Sequence, residues 1–284
     1  LSQDKKILTK EYSENTTETI TIKDIAENEV QVNISITNID RIAPEAEISY
    51  STTNPTKENV KVTITANEEV QVIEGWMLSQ EKKILTKEYS ENTKETITVK
   101  DIAGNETQVN ISIRNIDRIA PEVQISYSTT APTKENVTVK IKSDEAVQAV
   151  ESWTLSTDKK VLTKEYAENT TETVTIKDIA GNETQVNILI TNIDRIAPEV
   201  QISYSITNLT KEDVTVTITA DEEVQDVEGW TLSANKKVLT KEYSENKTET
   251  ITIKDMLGNE IQQTIEITNI DRIAPEAEIS YSTT

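Results

Sequence analysis

An all-β fold, repeated in tandem, is what this sequence predicts, and three observations carry the prediction. The segment NIDRIAPE at Asn38 to Glu45 returns at Asn115, Asn192 and Asn269, so Pro44, Pro121, Pro198 and Pro275 stand at one interval of 77 residues. Apolar and polar residues alternate in short runs such as Val123-Gln-Ile-Ser-Tyr127, the period of a half-buried strand. No stretch carries the period of an amphipathic helix.

The interval divides the chain into three whole units, 44–120, 121–197 and 198–274. Residues 1–43 match the later strands of a unit and 275–284 match the first strand of another, so the sequence is expected to be part of a longer protein. A unit of this size buries little surface and is marginal without help. Disulfides cannot supply it, because Cys is 0; His is 0 as well. Thiolate and imidazole metal sites, thiol nucleophiles and the usual general base are thereby excluded, and no enzyme is expected. A net charge of −21, from 50 acidic and 29 basic residues, disfavours nucleic acid and anionic lipid as partners. No apolar run is long enough to insert in a membrane.

Within a unit, the strand after the proline leads through the turn Pro132 to Asn136 into a second alternating strand, as in Val214 to Thr219. An acidic corner follows, at Asn67-Glu68-Glu69, Asp144-Glu145 and Asp221-Glu222-Glu223. The next strand is expected to carry the unit's one tryptophan, Trp76, Trp153 or Trp230, as a core anchor. Val161 to Tyr166 has mixed faces and reads as an edge strand protected by its lysines. Thr171 to Ile190 closes the unit as a hairpin, with Gly104, Gly181 and Gly258 where its turn needs a positive φ. In the first fragment Glu27 takes that place, at a cost of about 1 kcal/mol. Six to seven short antiparallel strands per unit predict a β-sandwich of immunoglobulin type, strung as beads along a rod.

Asp117 to Pro121 and the Asp178-Ile-Ala-Gly-Asn182 turn, with their copies, resemble motifs of the bacterial immunoglobulin-like tandem repeats of large surface proteins and adhesins. The resemblance covers essentially the whole chain. It implies an extracellular location on a bacterial surface, and repeats that serve as stalks or take part in binding or filament formation.

Several residues are candidates for sites. Pro44, Pro121, Pro198 and Pro275 fix φ and mark the inter-domain hinge. Immunoglobulin topology would gather hinge, corner and turn acids at the pole where the chain enters, an oxygen-only set of the kind Ca2+ takes. In order these are Asp40, Glu68, Asp101 and Asn105; Asp117, Asp144, Glu145, Asp178 and Asn182; and Asp194, Asp221, Glu222, Asp255 and Asn259. The alternative is that the turn acids cap their own turns and the rest are solvated. A Lys177–Asn187 crosslink is disfavoured, since alternation puts both outside and residue 264 is Thr. Sequons such as Asn105-Glu-Thr read as a by-product of composition. The leading expectation is a structural spacer whose partners are its neighbouring repeats. A self-assembling filament of identical chains is the alternative, and an adhesin whose repeats bind a host glycan or protein the third reading.

Overall fold

The computed structural model describes residues 6–280, with no helix among them. By their contacts the residues divide into two compact units, Leu1–Pro121 with Lys177–Glu183, and Glu122–Ile176 with Thr184–Thr284. The repeats 44–120 and 198–274 each lie inside one unit, whereas 121–197 is shared. Its turn joins the first unit, where Lys57 Nζ donates to Gly181 O at 3.0 Å and Asn182 Nδ2 to Asp117 O at 3.0 Å.

The first hairpin is β1 (Thr16–Lys23) with β2 (Glu29–Ile36). Then come β3 (Ala46–Tyr50), β4 (Val60–Ala66), β5 (Met77–Leu78), β6 (Ile84–Tyr89), β7 (Thr93–Lys100) and β8 (Glu106–Ile113). The second repeat supplies β9 (Val123–Tyr127), β10 (Val137–Ser143), β11 (Thr154–Leu155), β12 (Val161–Tyr166), β13 (Thr170–Lys177) and β14 (Glu183–Ile190). The third supplies β15 (Val200–Tyr204), β16 (Val214–Ala220), β17 (Thr231–Leu232), β18 (Val238–Tyr243), β19 (Lys247–Lys254) and β20 (Glu260–Ile267). Each whole repeat therefore holds a four-stranded antiparallel sheet, ordered β5-β6-β4-β3 in the first, and a two-stranded one, β7-β8.

One core joins the two sheets of a repeat. Val60, Val62 and Ile64 of β4 and Leu85 of β6 meet Val99, Val109, Ile111 and Ile113 of β7 and β8, all buried. The third repeat repeats this with Val214, Val216, Ile218 and Leu239 against Ile253, Ile265 and Ile267. The alternation seen in the sequence thus sends every second side chain inward, and the exposed positions are mostly Thr, Lys, Glu and Gln. Trp76 packs edge-on against Tyr89, with ring centroids 6.4 Å apart.

Strand directions put the two ends of a repeat at opposite poles. At one pole Thr107 Oγ1, near the start of β8, donates to Pro44 O at 2.5 Å. At the other, Ser112 N donates to Tyr50 Oη at 3.2 Å, and Asn115 Nδ2 donates to Asn54 O at 2.8 Å. The exit segment forms a parallel bridge, Thr56 with Ile116. In the third repeat Thr210 bridges Ile270 in the same way, and Asn269 Nδ2 donates to Asn208 O at 2.9 Å.

Four expectations need correction or refinement. The strand Val161–Tyr166 is not an edge: it lies between Val137–Ser143 and the two-residue strand Thr154–Leu155. The tryptophans precede that short strand in a turn, where Trp76 N donates to Ile73 O at 3.0 Å. Residues 275–280 form no strand, since no described strand lies beside them to pair with, and 281–284 fall outside the described residues. Trp76 and Trp153 are buried as anchors, but Trp230 is only half-buried. The hairpin turn is as expected, with φ of 96° at Gly104, 85° at Gly258 and 70° at Glu27.

Replacing Trp76 by alanine opens the core beside Tyr89 and is expected to cost about 3–5 kcal/mol. Urea unfolding of the variant against the parent chain measures it, and a loss under about 1 kcal/mol would deny the anchor role.

Candidate functional site

The closing hairpin turn of each whole repeat is organised by one buried aspartate. Asp101 is only 1% exposed; its Oδ1 accepts the N–H groups of Gly104 at 2.6 Å and Asn105 at 2.8 Å, and its Oδ2 accepts Asn105 Nδ2 at 2.7 Å. Asp255 accepts from Leu257 N, Asn259 N and Asn259 Nδ2 in the same way. Burial pushes both carboxyls up, but these hydrogen bonds outweigh it and hold them below the ordinary aspartate value. The asparagine also reaches toward the hinge: Asn259 Nδ2 donates to Asp194 O at 3.3 Å.

Around this fixed aspartate the structure gathers two of the predicted acids. Asp40, Glu68 and Asp101 bring carboxylate oxygens within 4.8 Å of one another in the first unit. Asp194, Glu222 and Asp255 do so in the second, also within 4.8 Å. Desolvation, then the negative charges of Asp40 and Asp101, push Glu68 above the usual carboxyl range. Desolvation, then Asp255, Asp194 and Asp221, do the same to Glu222. Three carboxylates this close repel one another, so protonating the glutamate or binding a cation relieves the cluster.

Other predicted residues stand outside these groups. Asn105, Asn182 and Asn259 spend their side-chain nitrogen on bracing the turn aspartate. Asp144 and Asp221 turn away to cap the incoming strand, accepting Glu122 N at 3.0 Å and Glu199 N at 2.9 Å. Asp117 accepts Ile119 N at 3.1 Å, and Asp178 accepts Gly181 N at 2.6 Å; both lie in the first unit and Glu145 in the second. Pro44, Pro121 and Pro198 are buried and Pro275 is exposed. The residues before the proline are tied to the repeat they leave, with Arg118 Nε donating to Lys57 O at 2.8 Å and its Nη2 to Asn59 Oδ1 at 2.7 Å. Lys177 pairs with Glu183 at 2.8 Å, while Asn187 Oδ1 accepts from Thr173.

A second cluster escaped the sequence reading. Glu172 Oε2 accepts both Tyr166 Oη and Lys164 Nζ at 2.7 Å, and Lys164 Nζ lies 5.7 Å from the Trp153 ring centre and 4.9 Å from that of Tyr166. Trp153 Nε1 has no well-formed hydrogen bond, although it lies near enough to Glu172 to help hold that carboxyl down. Lys87, Tyr89, Glu95 and Trp76 make the same group in the first repeat, and Lys241, Tyr243, Glu249 and Trp230 in the third. Desolvation raises Glu249, but bonds from Lys241, Lys247 and Tyr243 overcome it and bring the carboxyl down to about 2. The only sequence signal was the repeated spacing of Lys, Tyr and Glu, with Lys164 and Tyr166 on the inward parity of their strand.

No family model matches the chain, and no curated protein matches it. A solved structure described as a crystal structure with xylogluco-oligosaccharide is 13% identical, over 80% of this chain, with a TM-score of 0.23. The chain spans 59% of that structure's length. A likeness this low carries no argument about fold or ligand.

Two substitutions separate the clusters by sign. Folded-state Glu249 lies below its unfolded value, so its contribution is present above about pH 4.5 and is lost as pH falls toward 2. Glu249→Gln is therefore expected to destabilise the chain by about 1–3 kcal/mol at pH 7, with the difference closing through that window. Glu222 lies above its unfolded value, so its ionisation opposes folding as pH rises past 4.5. Glu222→Gln should raise the melting temperature at pH 7 in chelator; pH-dependent thermal unfolding of both variants checks the signs.

Proposed function

We propose that the chain is a non-catalytic spacer from a bacterial surface protein, built of tandem immunoglobulin-like β-sandwich repeats and displayed outside the cell. The observation that carries this reading is the placing of entry and exit at opposite poles of a repeat, Pro44 beside Thr107 and Asn115 beside Asn54. A repeat of that kind adds length each time it is copied, and it needs no chemistry to do so. The resemblance of its Asp-x-x-x-Pro and Asp-x-Ala-Gly-Asn motifs to bacterial surface repeats supports the location.

The same reading includes Ca2+ at the acidic groups. Asp40, Glu68 and Asp101, or Asp194, Glu222 and Asp255, offer hard oxygen ligands of the kind this ion takes, with carbonyls and water completing its six to eight positions. One ligand of each set comes from the segment before the proline and two from the repeat that follows. An ion held there would join the two and stiffen the junction, leaving the proline hinge a narrow range of motion. Asn259 and Lys57 already tie turn to junction without it.

In-frame deletion of residues 121–197 is expected to shorten the particle by about 30–40 Å in small-angle scattering. An unchanged maximum dimension would contradict the spacer. Separately, about 1 mM free Ca2+ should raise the melting temperature of the parent and leave a Glu68→Gln, Glu222→Gln double variant less affected. No shift in the parent would retire the ion while leaving the spacer intact.

A further inference from the structure

The smaller sheet of each repeat is missing most of a strand. Beside the end of β7, Gln71 N donates to Lys100 O at 2.8 Å, and Val70 forms an antiparallel bridge with Asp101. A third strand therefore begins there, and it goes no further. After Gln71 the chain leaves the sheet: Val72 is 70% exposed, and Gly75, at a φ of 77°, turns the chain toward Trp76 and the other sheet. The third repeat does the same, with Gln225 N donating to Lys254 O at 2.8 Å and Val224 bridging Asp255.

What is left is a free edge. Backbone groups in an antiparallel pair point alternately toward the partner strand and away from it. Since Lys100 O points away from β8, the N–H and C=O groups of Lys94, Thr96 and Thr98 do too, and none of them has another backbone partner. In β19 the same parity exposes Thr248, Thr250 and Thr252. Edges of this length are usually blunted by proline, a bulge, an unpaired inward charge or exposed lysines, and here the lysines, Lys94 and Lys100, lie only toward the two ends of the strand. Here the strand holds no proline, and the inward charge, Glu95, is already engaged by Lys87 and Tyr89.

We propose that this edge is a pairing surface for a second copy of the chain, which adds its own β7-type strand antiparallel to the first. The occupant follows from the side chains. A two-fold contact needs a strand that matches itself when reversed. With Thr96 opposite Thr96 of the second copy, Lys94 meets Thr98 and Glu95 meets Ile97, so no like charges oppose one another. With Thr250 opposite its own counterpart, Thr248 meets Thr252 and Glu249 meets Ile251. The sequence TTETVTIK places Thr173 at the equivalent position of the second repeat, and TTETITIK places Thr19 there in the first hairpin. Against this pairing stands the net charge of −21 on each chain, so association should strengthen with salt.

The test is sedimentation velocity of the 284-residue chain at about 0.1 M and about 1 M NaCl, where the screening length falls from roughly 10 to 3 Å. Thr19, Thr96, Thr173 and Thr250 are changed together to proline. At Thr96 and Thr250 the N–H faces outward, so proline removes no bond of the hairpin ladder. A second variant carries lysine at the same four positions, which keeps every N–H and adds like charge to the edge. The parent is expected to self-associate, more strongly at high salt, with slowed amide exchange at Thr96 and Thr250. Both variants should dimerise roughly tenfold or more weakly. If the proline variant loses the near-ultraviolet signal of its tryptophans, the lysine variant decides. A parent that is monomeric at both salts, or association that survives the substitutions, overturns the proposal. So does a monomeric parent that instead captures an unrelated extended peptide on this edge. The spacer reading survives any of these results, because it does not depend on lateral pairing.

Discussion

An asparagine side chain standing in for a strand is the interaction on which each repeat depends. Asn92 Nδ2 donates to Ile116 O at 2.8 Å, and its Oδ1 accepts Ile116 N at 2.9 Å. Asn246 with Ile270, and Asn15 with Ile39, make the same pair of bonds, each at 2.9 Å. The isoleucine's donor and acceptor are both satisfied, so Ile116 and Ile270 can be buried at the end of the core. With that residue seated, Asn115 and Arg118 close over the loop between the first two strands. The chain then leaves from the pole opposite Pro44, and the tandem arrangement follows from that.

The second constraint is how a small unit without cysteine fills a sandwich that is short of a strand. The segment that would complete the smaller sheet turns away after Gln71, leaving the space beside β7 without a strand, although Ile73 packs against the core. Lys87, Tyr89 and Glu95 occupy that space instead, bonded among themselves under the tryptophan. A polar group with every charge paired tolerates partial exposure at an open edge better than bare apolar surface would. Core completion and edge exposure are thus two sides of one feature, repeated wherever the Lys, Tyr and Glu recur.

Much of this was legible in the residues. The alternating runs gave the strands, and the Asp-x-Ala-Gly-Asn turn gave the closing hairpin with its positive φ, down to the tolerance of Glu27. The grouping of Asp40 with Glu68 and Asp101 was legible because topology alone puts those loops at one pole. What was hidden depends on where side chains point across the core. Lys164 read as a guard of an edge because a lysine in a strand is usually solvated, yet its parity with Leu162 and Tyr166 sends it inward. Asp221 sits next to the clustered Glu222 in sequence and was grouped with it, but the two neighbours at this corner face different ways, Asp221 toward Glu199 N. The asparagine clamp left no local trace, since its partners are 24 residues apart.

The account rests on each repeat closing its own core without its neighbours. Residues 44–120 expressed alone test that most directly, followed through urea by Trp76 fluorescence and by backbone circular dichroism. The account predicts a single cooperative transition in which the two signals coincide. A peptide that is unfolded in buffer, or whose tryptophan is buried only when the flanking repeats are restored, would contradict it.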